Sequence, residues 1–218
     1  MLAEPDGARA EPDGGPRRAV LVLARHGAGA AAPPGVDPQD LARAALADSY
    51  EVVADLVGVR SGIAGDADAA DLLWPGALHL PGAPLAALAA TMRAEVDELV
   101  VVPGDAPDLP GLVLAKVFKV LHRSDVVLAP ERGGPGVVAL GVRLPLASWL
   151  LPLDLDLDAA DLRTRLTAAA PRRSAVQTAP DWHRLRTPGA LARLDPGLEG
   201  WEETRELLRV AGALGVPR

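Results

Sequence analysis

Two stretches constrain this chain more than anything else in it. Ala19-Val20-Leu21-Val22-Leu23 is apolar throughout, and Glu98-Leu99-Val100-Val101-Val102 is apolar after its first residue. A strand with one wet face alternates apolar and polar side chains, whereas an unbroken short run belongs to a strand covered on both faces. Covered strands need helices, and the pattern supplies them. Strands are expected at 19–23, 56–59, 77–80, 98–102, 125–129, 137–142 and 175–177. Asp37-Pro38 marks an N-cap and first-turn proline for a helix to 54, and Thr187-Pro188 repeats that signature for a short helix to 194. Further helices are expected at 67–73, 84–93, 111–122, 158–170 (capped by Asp158) and 201–214. The helix over 111–122 is apolar nearly all round, so it is expected to be sandwiched. Strands alternating with helices predict an α/β fold: a three-layer α/β/α, Rossmann-like domain with a mainly parallel sheet.

The first seventeen residues contrast with this. Glu4-Pro5-Asp6-Gly7 recurs as Glu11-Pro12-Asp13-Gly14 with almost nothing apolar between them. Such a composition buries too little to offset the entropy of ordering, so a disordered tail over 1–17 and one domain over 18–218 are expected. The tail has no apolar core of a secretory signal, and no apolar run approaches the ~18 residues that span a bilayer, which predicts a cytoplasmic protein without a membrane partner. A net charge of −7, from 22 basic and 29 acidic residues, argues against a nucleic-acid partner. With no cysteine in the chain, disulfides, thiolate metal sites and thiol nucleophiles are excluded.

In parallel α/β sheets, ligands bind beyond the carboxyl ends of the strands. Three loops qualify: 25–29, 104–107 and 131–136. Asp105 follows directly on a buried strand, behind Gly104. A carboxylate there suits a divalent cation bridging phosphates; more simply, Asp105 or Asp108 satisfies turn and helix-start amides. The loop Arg25-His26-Gly27-Ala28-Gly29 exposes amides to an anion but matches neither the dinucleotide nor the Walker pattern. His26, His79, His122 and His183 have no zinc-ligand spacing, and no serine sits in a nucleophile elbow. The alternating Leu-Asp run over 153–158 reads as a cation site or, more simply, as a solvated edge ending in a helix cap. Trp74, Trp149, Trp182 and Trp201 read as packing residues.

From Val100 to Arg143 the chain reads VVVPGDAPDLPGLVLAKVFKVLHRSDVVLAPERGGPGVVALGVR. This resembles a bacterial family of glycosyltransferase-A-like proteins related to the molybdenum-cofactor and phospholactate guanylyltransferases. The shared steps are an apolar strand, an Asp-x-Pro loop, a helix starting near Leu-Pro, a strand ending in Pro, a Gly-Gly turn and a strand ending in apolar-Gly-apolar-Arg. The resemblance extends weakly over residues 18–195, closing on Trp182 through Thr187-Pro188-Gly189-Ala190-Leu191. It implies a nucleotide or nucleotide-sugar partner and transferase chemistry with Mg²⁺ or Mn²⁺. Asp105 would be the catalytic, metal-binding carboxylate. Arg25, Gly27, Gly29 and Gly104 would bind the nucleotide, and Gly133 and Gly134 the acceptor substrate.

There are departures. The family's first loop carries a lysine, where this chain offers Arg25. The position before the Gly-Gly turn, commonly Asp, is Arg132. The closing Asp-x-Asp-Thr-Pro is here Arg184-Leu185-Arg186-Thr187-Pro188. Two functions therefore stand: a nucleotidyl- or glycosyltransferase with Asp105 holding the metal, or a catalytically impaired relative acting as a nucleotide-binding or scaffold protein, its arginines holding phosphates directly.

Overall fold

The computed structural model describes residues 14–24, 26–65 and 67–213. The expected tail lies outside them as far as residue 13. Arg17, placed at its end, is tied to the domain: its backbone N–H donates to Asp97 Oδ2 and its Nη2 to Asp97 Oδ1, both at 2.8 Å.

Seven strands form one sheet in the order β3-β2-β1-β4-β6-β5-β7. They are β1 (Arg18–Leu23), β2 (Val59–Ala64), β3 (Leu78–Leu80), β4 (Glu98–Pro103), β5 (Val126–Pro130), β6 (Val137–Arg143) and β7 (Val176–Thr178). All neighbours are parallel except β6, which runs antiparallel to both β4 and β5. The mainly parallel α/β reading holds. β6 follows β5 through a tight turn, and only an antiparallel neighbour can be reached that way.

Side chains alternate across the sheet and meet different helices. Leu21, Leu23, Leu99, Val101, Leu128 and Leu140 pack with α2 (Leu85–Met92) and α4 (Leu162–Ala169). Val20, Val22, Val100, Val102 and Val127 pack on the other face with α1 (Pro38–Ala54) and α3 (Gly111–Leu121). This is the three-layer arrangement that uniformly apolar strands require. α3 lies so close to β6 that a Cβ at Gly141 would sit 2.7 Å from Val117 Cγ1. A third cluster joins the outer side of α1 (Leu41, Ala45) to Leu185, Ala190, and the fully buried Trp201 and Leu208 at α5 (Glu202–Val210).

The local signals at α1 act as expected. Asp37 is extended (φ −67°, ψ 129°), and its carboxylate accepts from Gln39 N at 2.7 Å, with Pro38 in the first turn. Four expectations need correction. The second strand starts at Val59, not 56, because Gly58 turns the chain at φ +73° just before it. Gly62, three residues past the end of the expected strand, lies inside β2, where a Cβ would stand 2.5 Å from Leu78 O of β3. α3 is covered on one side only: Val113, Leu114, Val117, Phe118 and Leu121 are buried, while Leu112 is 67% exposed. α4 begins at Leu162, so Asp158 does not cap it.

Candidate functional site

β1 and β4 lie side by side and parallel, with Leu23 opposite Pro103. The loops that follow them therefore leave the same edge of the sheet, and Gly104 N donates to Leu23 O at 3.0 Å across the gap. Glycine is needed there, since a Cβ would lie 2.8 Å from Leu46 Cδ1 and 3.2 Å from Leu23 O. Of the expected nucleotide loop, Arg25 is outside the described residues. The chain then winds through a 3-10 helix, His26–Ala31, instead of an open loop. Ala28 and Ala31 are fully buried in the third cluster, and a Cβ on Gly29 would meet Pro38 O at 2.8 Å. Gly29 thus serves close packing against the start of α1, and Gly27 lies in the same turn of helix.

Asp105 stands at the carboxyl end of β4, directly after it, and is 2% exposed. Its carboxylate is fully engaged. Arg184 Nε donates to Oδ1 at 2.6 Å and Nη2 to Oδ2 at 2.8 Å, a bidentate fork. Arg184, also 2% exposed, donates through Nη1 to Asp158 Oδ1 at 2.7 Å and to Val137 O at 3.2 Å. Burial pulls the Arg184 guanidinium down, but Asp105 and Asp158 outweigh it and its pKa is raised, so the charge persists. The loop that carries Arg184 is fastened to the same place by its backbone, Leu185 N donating to Asp105 O at 2.7 Å.

Around this pair further charges gather. Arg186 Nη2 donates to Asp158 Oδ1, and Arg186 Nε lies 3.6 Å from Glu131 Oε2. Glu131, 7% exposed, folds its carboxylate back over its own turn to accept from Gly136 N at 3.3 Å. The Gly-Gly turn is explained by that fold-back. A Cβ at Gly134 would fall 2.2 Å from the Glu131 carboxyl carbon, and Gly133 has φ +76° beside the Arg193 guanidinium. Arg193 in turn donates to Arg132 O at 2.9 Å. In the described contacts Gly133 and Gly134 accommodate Glu131 and Arg193.

Of the three arginines at the departures, two are brought together and one is not. Arg184 and Arg186 share Asp158, whereas Arg132 is turned outward onto Asp181 at 2.9 Å and over the Trp182 ring at 5.2 Å. Beneath them, Asp108 is buried with Trp182 Nε1 donating to its Oδ1 at 3.1 Å. His183 Nε2 lies 3.0 Å from the same oxygen, without hydrogen-bond alignment. Sequence reasoning missed Glu131 and read Asp158 as a helix cap or as part of a cation site over 153–158. A signal for Glu131 existed in the glycines after it, which leave room for a carboxylate. For Asp158 the signal was the Leu-Asp alternation, which holds in burial, Leu155 and Leu157 being buried, although the chain turns and no strand forms there.

No family model matches the chain, and no curated protein matches it in sequence. Solved structures do match in fold. A protein of Desulfovibrio desulfuricans G20 assigned as a nucleotide-diphospho-sugar transferase superposes with a TM-score of 0.63 at 20% identity, over 89% of this chain and 98% of the other. A cytidylyltransferase of Leptospira borgpetersenii follows at TM-score 0.55 and 12% identity, over 94% and 100%. A CMP:2-keto-3-deoxy-manno-octonic acid synthetase complexed with CTP matches at 0.54 and 13%, over 90% and 100%. The chain has the nucleotide-diphospho-sugar transferase and cytidylyltransferase fold. At these identities the transferase fold is what is shared.

The resemblance placed a divalent cation at Asp105 in this fold. The donor set does not fit one: both Asp105 oxygens already accept from Arg184, a fixed positive charge in direct contact. Among the described residues, no group of three His, Cys, Asp or Glu side chains converges to hold an ion. No helix among them is long and apolar enough to cross a membrane.

Proposed function

We infer that this chain binds a nucleotide or nucleotide-sugar at the carboxyl edge of the sheet, between the β1 loop (25–29) and Gly104, and that the chemistry belonging to this site is nucleotidyl or glycosyl transfer. The observation that carries the reading is the adjacency of the two loops at the ends of parallel β1 and β4, bridged by the Gly104–Leu23 hydrogen bond. Parallel α/β sheets take their ligands on that edge. In this reading Arg25, Gly27, Gly29 and Gly104 bind the nucleotide. Gly133 and Gly134 act on the acceptor side by shaping the turn that carries Glu131. The Mg²⁺ or Mn²⁺ of the resemblance has no free carboxylate at Asp105 and forms no part of the reading.

One observation favours a second form of it, a catalytically impaired relative that keeps the site for binding. Asp105 would be the catalytic carboxylate, and its oxygens are committed to a buried arginine. A thermal-shift panel of nucleoside triphosphates, diphosphates and nucleotide-sugars tests the site. Ligand at a hundredfold its Kd stabilises the native state by ~2.7 kcal/mol, a shift of several degrees. If none of the panel raises the Tm, the nucleotide reading fails. Calorimetry with Mn²⁺ and with chelator, on the native protein and Asp105→Ala, tests the absence of metal: strong metal dependence lost in the variant overturns it and restores a metal-dependent transferase at Asp105, whereas equal, metal-indifferent affinity in both favours the impaired form.

A further inference from the structure

Four oxygens from three parts of the chain accept from one guanidinium: Asp105 Oδ1 and Oδ2, Asp158 Oδ1 and Val137 O. Carboxylates and a backbone carbonyl in one cage are the ligands a hard divalent cation takes. Here the cage is filled by the Arg184 guanidinium. We propose that Arg184 is a resident cation: it stands where a divalent ion would otherwise sit, so the cationic charge at this sheet edge is built into the chain and is independent of metal.

The charge arithmetic supports this. A metal at the same spot would be in contact with a guanidinium that cannot lose its proton, and no solvent separates them, since Arg184 and Asp105 are each 2% exposed. The guanidinium also does what the ion would do mechanically. It draws together the end of β4, the start of β6 and the 153–158 segment, which are otherwise far apart in sequence. Arg186 adds a second cation: three carboxylates (Asp105, Asp158, Glu131) surround two guanidiniums, one negative charge in excess. The metal indifference of nucleotide binding that follows rests on the nucleotide reading above; the replacement itself does not.

The test is therefore a titration of the full chain with Mn²⁺ alone, followed by the loss of the free-ion electron paramagnetic resonance signal. The native protein is expected to show no Asp105-dependent binding at or below about 10⁻⁴ M, whereas Arg184→Ser made in an Arg186→Gln background, which takes both guanidiniums off these oxygens, gains a Mn²⁺ site at least about tenfold tighter. Asp105→Asn added to that double variant abolishes the gain. Mn²⁺ binding by the native chain that Asp105→Asn removes overturns the proposal. So does a double variant that folds and gains nothing. If the double variant does not fold, the native titration alone decides, silence supporting the replacement and Asp105-dependent binding refuting it. A nucleotide panel run in the same buffers separates the two ideas: no nucleotide bound sinks the nucleotide reading and leaves the Mn²⁺ outcome standing.

Discussion

Removing Arg184 should be among the more costly single changes in this protein. Arg184→Met keeps most of the apolar stem but leaves Asp105, 2% exposed, without either of its guanidinium donors. Taking one partner from a buried ion pair costs ~3–5 kcal/mol, because the remaining charge is stranded away from water. For a domain of this size each kcal/mol moves the Tm by ~2–4 °C, so a fall of roughly 6–20 °C is expected. Asp105→Ala should cost less, since Arg184 keeps Asp158 and Val137 O. The double variant Asp105→Ala/Arg184→Met removes both charges together, and its loss should fall short of the sum of the singles by ~2 kcal/mol. Urea denaturation of the four proteins at one pH measures the cycle. Single losses under about 1 kcal/mol that simply add would refute the argument, showing that the pair is neither desolvated nor coupled.

Other outcomes follow from the same physics. Asp48, fully buried on α1, accepts from Glu203 N at 3.0 Å and Thr204 N at 2.8 Å, capping α5 from another helix. Burial pushes its carboxyl up to about 6, against the opposing pull of those Thr204 and Glu203 donors. Because the folded pKa is raised above the unfolded ~3.9, this group's contribution is complete below pH ~4 and is lost as pH rises through about 6, by up to roughly 3 kcal/mol. Relative to Asp48→Asn, the native protein should thus lose stability between pH 4 and pH 7 in urea melts, and parallel curves would count against it. Gly134→Ala should cost ~1–3 kcal/mol by driving a methyl into the Glu131 carboxylate. In a Glu131→Ala background the same change should cost clearly less, and an equal cost in both would show that Glu131 is not the obstacle.

How much of this was legible beforehand varies with the range of the interaction. β1, β4 and α1 were readable to within a residue because their signals are local: unbroken apolar runs, and a cap with a first-turn proline. Asp105 was recognisable as a strand-end carboxylate for the same reason. β2 was misplaced because Leu56 and Val57 look like strand, and only packing reveals that Gly62 is in the strand, against Leu78. The covered side of α3 was overestimated, since an apolar residue such as Leu112 does not itself say whether another layer lies over it.

The sequence by itself determined the α/β class, the order of most elements and the presence of a carboxylate and glycines at one kind of loop. These depend on periodicity and caps, which act over a turn or a strand. What Asp105 and Glu131 do was decided only in three dimensions. Asp105 meets Arg184 across 79 positions, and Asp48 meets α5 across 155. Such pairings depend on which loops the strand order brings to one edge and which are covered there. A buried charge takes its role from its partner, and the partner is chosen by the packing of the whole sheet.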